Sequence, residues 1–199
     1  VALHLFRRKT VNKKHISLDT LAGIIRTEII NEARGLVRVD MGAPRLTQGE
    51  IPMAGNPAET AVNFPLSAAG QTFHGTAVSM GNPHLVIFTP DINKVPLSVW
   101  GPKLETHPLF PRKTNVEFVQ VLDDKTVRMR VWERGAGITQ ACGTGSCAAA
   151  VACVLNHKTE KNITVKLDGG DLFIEWPEQK NIFMTGLAQA VFSGEYWGE

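Results

Sequence analysis

Val127-Arg128-Met129-Arg130-Val131-Trp132-Glu133-Arg134-Gly135-Ala136-Gly137-Ile138-Thr139-Gln140-Ala141-Cys142-Gly143-Thr144-Gly145-Ser146-Cys147 is the stretch on which the fold turns. Residues 127–132 alternate in the manner of a strand, Gly135 and Gly137 mark a tight loop, and the alanine-rich run from Ala148 to Leu155 has high helix propensity. The order predicted is strand, glycine-bearing loop, helix, with Cys142 at or next to the helix start.

Downstream, Asn162-Ile163-Thr164-Val165 and Asp171-Leu172-Phe173-Ile174-Glu175-Trp176 read as a hairpin turning at Gly169-Gly170, and Asn181-Ile182-Phe183-Met184 as a third strand ending at Gly186. The same unit stands 147 residues earlier. Val1-Ala2-Leu3 aligns with Ala148-Ala149-Ala150, and the match continues without a gap through Lys14 on Lys161, Ile16 on Ile163, Gly23 on Gly170 and Glu28 on Glu175. The first copy has strands at His15-Ile16-Ser17-Leu18 and Ile24-Ile25-Arg26-Thr27-Glu28, a turn at Ala22-Gly23, and a third strand at Leu36-Val37-Arg38-Val39 ending at Gly42. Helix-hairpin units also recur by chance in mixed proteins. A genuine duplication carries a sharper expectation, that a counterpart of the Ala141–Cys147 segment precedes Val1. The apolar start Val1-Ala2-Leu3-His4-Leu5-Phe6 reads as mid-helix, which fits that expectation.

Composition narrows the function classes. The chain has 199 residues, 43% hydrophobic and 20% charged, enough for one large domain or two small ones. Net charge is +2 with the basic residues dispersed, so no nucleic-acid surface is expected and a small-molecule ligand is the default. No apolar run approaches the roughly 20 residues of a membrane-spanning helix, and the first residues do not follow a signal-peptide pattern. Three cysteines clustered between Cys142 and Cys153 cannot form a disulfide framework, and they point to a reducing, cytoplasmic compartment.

At a helix N-terminus, free amide hydrogens and the helix dipole favour a thiolate, which would lower Cys142 from the usual value of about 8.5. The small residues of Gly143-Thr144-Gly145 let the backbone approach a ligand and surround a carboxylate, leaving the ligand's Cα beside the sulfur. Fixed donors on that carboxylate are what make a Cα proton removable without pyridoxal phosphate. Other readings of Cys142 stand beside this one: simple packing, a zinc site with Cys147, Cys153 and His157, or a cysteine hydrolase using His84 or His74. Cys147 and Cys153, among alanines, read as packing residues. In Ser79-Met80-Gly81-Asn82-Pro83-His84, a polar turn feeds the apolar strand Leu85-Val86-Ile87-Phe88. There Asn82 offers donor and acceptor to a ligand, and His84 offers an ionisable group beside a thiol; a turn asparagine and a capped strand explain the pattern equally. Asn115 occupies a similar strand entry, and Glu133-Arg134 is either a surface ion pair or a ligand contact on the loop leading to Cys142.

Taken together, Met80-Gly81-Asn82-Pro83-His84, Glu133-Arg134-Gly135-Ala136-Gly137 and Ala141-Cys142-Gly143-Thr144-Gly145, in this order, resemble the diaminopimelate epimerases, and the likeness runs from Val1 to about Gly194. The resemblance implies an α+β fold of two pseudo-equivalent mixed-sheet domains, each around a central helix. Residues 42–187 would form the C-terminal domain, and 1–41 with 188–199 a remnant of the N-terminal one. It implies cofactor-independent interconversion of LL- and meso-diaminopimelate, in lysine and peptidoglycan biosynthesis, by two cysteines on opposite faces of the substrate. Cys142 is similar to the family's second catalytic cysteine, conventionally its proton acceptor. Asn82, Asn115, Glu133, Arg134, Gly143 and Thr144 are similar to its substrate contacts, and His84 and Glu133 to groups that tune the thiols. No metal is implied, and the assembly implied is a homodimer. The family's other cysteine belongs to a first-half motif that these 199 residues lack, so this chain alone is expected not to epimerise. A proline or hydroxyproline epimerase and a non-catalytic relative are the alternative readings.

Overall fold

In a computed structural model, which describes residues 1–21 and 23–198, the two hairpins form with the same register. In the first, His15 faces Glu28 and Thr20 faces Gly23; in the second, Asn162 faces Glu175 and Leu167 faces Gly170. Each pair of the second is displaced by 147 residues from its counterpart, as is the bond that closes each hairpin, Ile29 N–H to Lys14 O and Trp176 N–H to Lys161 O. Of the first turn, Ala22 lies outside the described residues.

The chain divides into two units, residues 1–39 with 185–199 and residues 40–184. The smaller holds α1 (Ala2–Arg7), β1 (His15–Thr20), β2 (Gly23–Asn31) and all but the last residue of β3 (Leu36–Asp40). Its core is slight: Ala2, Leu3, Ile16 and Ile29, flanked by Phe6, Val11, Leu18 and Val37. The larger runs through β4 (Phe64–Ala68), β5 (Gln71–Ser79), β6 (Pro83–Phe88), α2 (Leu97–Glu105), β7 (Asn115–Asp123), β8 (Thr126–Glu133), β9 (Gly137–Thr139), α3 (Gly143–Leu155), β10 (Asn162–Leu167) and β11 (Gly170–Glu175). A last strand, β12 (Phe183–Leu187), straddles the boundary between the units. It starts two residues later than the sequence pattern suggests. Ile182 instead exchanges backbone bonds with Met41 and Gly42, and Asn181 ties its side chain to Asp40.

Within the larger unit the strands follow the order β11-β10-β8-β7-β6-β5-β4, with the short β9, not foreseen from sequence, on β8. Two neighbouring pairs are parallel, β10 with β8 and β6 with β7. This is the mixed α+β arrangement expected from the sequence. The sheet wraps α3, whose residues from Gly145 to Cys153 are all buried, and so the helix is apolar on every side rather than on one stripe. Val78, Val86, Val119, Val127, Met129, Val131, Ile163 and Ile174 pack around it. On another face of the sheet, α2 closes a second core in which Phe73, Trp100 and Phe118 meet edge-on or tilted. Gly101 lets α2 approach β8, since a Cβ there would lie 2.6 Å from the Trp132 ring. Among the described residues, no helix is long and apolar enough to cross a membrane.

Candidate active site

Cys142 is the N-cap of α3: its own backbone is extended, at φ −141° and ψ 110°, and its sulfur accepts the Gly145 N–H at 3.4 Å. The Thr144 hydroxyl lies 3.6 Å from the same sulfur. Gly145 is dictated by crowding, because a Cβ on it would stand 3.2 Å from the sulfur and 2.7 Å from a carboxylate oxygen of Glu117.

The strands deliver the remaining groups. Parallel pairing of β6 and β7 sets His84 beside Asn115. Strand periodicity of two then puts Glu117 on the same face as Asn115, and in the β7–β8 register Glu117 faces Val131, so that Glu133 comes opposite Asn115. His84 Nδ1 is 2.7 Å from Glu117 Oε1, and Nε2 is 3.1 Å from Asn82 Oδ1, which engages both ring nitrogens. Asn82 in turn donates from Nδ2 to the Thr144 hydroxyl at 3.4 Å. Gly81 makes the turn that holds Asn82 in place, with φ at +97°.

A second set of bonds fixes the loop after β8. Asn115 donates to Pro83 O at 2.8 Å and accepts the Arg134 N–H at 2.9 Å, tying β6 to the loop through one amide. Glu133 accepts the Thr139 hydroxyl, and the Arg134 guanidinium donates to Arg112 O while remaining exposed. Glu105, at the end of α2, takes the Trp132 indole N–H and the Gly135 N–H, with Lys113 3.5 Å away. Burial alone would raise this carboxyl, but those partners outweigh it and hold it below its ordinary value.

The structure therefore links His84 through Asn82 and Thr144 to Cys142, with Gly143 next to it along the chain, and holds Asn115, Glu133 and Arg134 at the ends of β7 and β8. It corrects one expectation about the thiol. Cys142 is pushed up to about 11 rather than down, first by burial and then by the Glu117 carboxylate, with Glu133 adding a little; the Thr144 hydroxyl and the Gly145 amide pull the other way without winning. The helix start supplies its donor, yet desolvation and two carboxylates exceed it. Cys147 and Cys153 lie wholly buried along α3 and are pushed up to about 12, mainly by burial. Among the described residues, no group of three or more His, Cys, Asp or Glu is placed to hold a metal. Sequence reasoning passed over Glu117 and Glu105. The signal for Glu117 is a lone carboxylate inside the apolar run Val116-Glu117-Phe118-Val119, a position that a buried strand ordinarily fills with a hydrophobe.

The family model for diaminopimelate epimerase matches residues 76–191, which takes in every one of these site residues. The chain is 56% identical over 198 residues to the diaminopimelate epimerase of Pelotomaculum thermopropionicum, and 52% identical over 199 residues to that of Heliobacterium modesticaldum. Each alignment covers 98% of this chain and 70% of the relative. The chain belongs to the diaminopimelate epimerase family. That makes it an amino-acid epimerase by descent, an isomerase whose substrate is a small molecule. Solved structures show how widely the fold is shared. A hydroxyproline epimerase from Agrobacterium vitis superposes with a TM-score of 0.67 at 12% identity over 93% of this chain and 60% of its own, and a probable proline racemase from Agrobacterium radiobacter with 0.66 at 14% over 96% and 65%.

Proposed function

We propose that this protein takes part in the epimerisation of LL-diaminopimelate to meso-diaminopimelate, and so in lysine and peptidoglycan biosynthesis, with Cys142 as one of two acid/base thiols and no pyridoxal phosphate. The observation that carries this reading is the placement of Cys142 as the cap of α3, its sulfur on the Gly145 amide and next to the Gly143-Thr144 backbone. A substrate carboxylate seated on those amides would bring its Cα to the sulfur, and the fixed donors would stabilise charge that develops as the proton leaves. A thiol held near 11 is protonated at neutral pH, so in this resting state Cys142 is poised to deliver a proton. When it accepts one instead, the cost of forming the buried thiolate must be met by the donors around it and by substrate.

Asn82, Asn115, Glu133 and Arg134 are proposed as substrate contacts, alongside Gly143 and Thr144, and His84 and Glu133 as groups that adjust the thiol. Neither Cys147 nor Cys153 can serve as the second thiol, since both are enclosed by the core around α3. The opposing thiol is proposed to come from sequence outside these 199 residues, and the active assembly to be a homodimer. On this reading the division into residues 1–41 with 188–199 and residues 42–187 separates the remnant of one catalytic half from the other.

The test is solvent exchange of the substrate Cα hydrogen in deuterated water, followed with the full-length protein. Cys142→Ala is expected to lower exchange by at least about 100-fold, the scale of a lost acid/base group. Cys147→Ala and Cys153→Ala should retain most of it. Equal losses in all three would mean that the cysteines serve packing, and the two-thiol reading would fail.

A further inference from the structure

Glu117 and His84 are both fully buried, 2.7 Å apart at Oε1 and Nδ1. At that depth a lone carboxylate or a lone imidazolium is strongly disfavoured, whereas the two as an ion pair carry no net charge. The other carboxylate oxygen, Glu117 Oε2, has no hydrogen-bond partner among the described residues, which leaves His84 as the group that compensates it. The far side of the ring meets another acceptor, Asn82 Oδ1, at 3.1 Å. As the amide is placed, Asn82 turns Oδ1 to the ring and Nδ2 to the Thr144 hydroxyl. With Glu117 ionised and Asn82 Oδ1 turned to the ring, both nitrogens face oxygen acceptors, which an imidazolium satisfies with a proton on each. Thr144, having received the Asn82 N–H, keeps its own O–H for the sulfur 3.6 Å away.

We propose that Glu117 is a positioning residue that holds His84 as an imidazolium, so that His84 donates to Asn82, Asn82 to Thr144, and Thr144 aims its hydroxyl proton at the Cys142 sulfur. Glu117 touches neither substrate nor sulfur in this scheme; it sets the direction of every bond between itself and Cys142. The catalytic consequence rests on the proposed epimerase reading, but the charge state of His84 does not. Neutralising Glu117 removes the imidazolium's counter-charge. One ring nitrogen then loses its proton, and the donor series is no longer held in one direction.

The experiment is nitrogen NMR of the full-length protein labelled with 15N-histidine, with His84 assigned from the signal lost in His84→Asn. The wild-type spectrum at neutral pH should show both ring nitrogens of His84 protonated. In Glu117→Gln one should lose its proton, and in Glu117→Asp, which keeps the charge, both should remain protonated. Alongside this, kcat for Cα exchange should fall roughly 10- to 100-fold in Glu117→Gln, the range for losing one charged hydrogen bond, with KM changed less than about twofold. A bare nitrogen on wild-type His84, or a Glu117→Gln spectrum identical to wild type, overturns the proposal. Should Glu117→Gln not fold, the wild-type and Glu117→Asp spectra still decide it. A doubly protonated His84 in a protein without epimerase activity would count against the proposed function while upholding the ion pair; a bare nitrogen in an active enzyme would do the reverse.

Discussion

Gly145 shows how little room the Cys142 site leaves. It is the residue whose amide reaches the sulfur, and it separates that sulfur from the Glu117 carboxylate, with space for a hydrogen and nothing more. Gly145→Ala would force its methyl against both groups at once. Overpacking of this kind is expected to cost about 1–3 kcal/mol, read as a lower urea midpoint with unchanged slope. Exchange activity should fall further than stability does, because the displaced atoms are the sulfur and its donor. The same alanine at Gly81 would meet no neighbour, only an unfavourable backbone angle. Comparing the two variants separates crowding from strain.

Among the elements, α2 acts on the site without contributing a residue to it. Glu105 at its C-terminal end holds Trp132 on β8 and the Gly135 amide in the loop that carries Glu133 and Arg134. Its pKa is depressed in the folded protein, so its contribution to stability is complete above the unfolded carboxyl value of about 4.3 and disappears as pH falls through the folded value. Glu105→Gln should therefore be less stable than wild type by about 1–3 kcal/mol near pH 7, with the gap closing as both are taken below pH ~4 in urea titrations. If the gap were the same at every pH, the carboxylate charge would not be the cause. Pairing of β6 with β7 is the other decisive element-scale event, since it brings His84 and Glu117 together across 33 residues of sequence.

Across the whole molecule, the larger unit buries three free thiols in one core around α3. Each has a folded value raised above the ordinary one of about 8.5, to about 11 for Cys142 and about 12 for Cys147 and Cys153. Below pH ~8.5 both folded and unfolded chains hold these protons, so the thiols exact no pH-dependent penalty. As pH rises further the unfolded chain releases them first, and stability declines toward the folded values. The urea midpoint should thus drop steadily between pH ~8.5 and 11, and a Cys147→Ala/Cys153→Ala double variant should show a shallower drop. An equal slope in the double variant would assign the alkaline loss to other groups.

The hairpins, their turns and the alanine-rich helix were legible in the sequence because backbone geometry imposes its period on residues close together along the chain. The repeat was legible for the same reason, and Asn82, His84, Glu133 and Cys142 stood out because each sits beside a glycine or a turn in a polar break between apolar runs. Only the tertiary structure decided that His84 meets Glu117, that Glu105 ties down the Glu133 loop, and that the Cys142 thiol moves up rather than down. Those outcomes depend on desolvation and on charges brought from distant strands. A helix dipole can be read from the local sequence, but the dielectric around its end is set by whatever the rest of the fold packs against it.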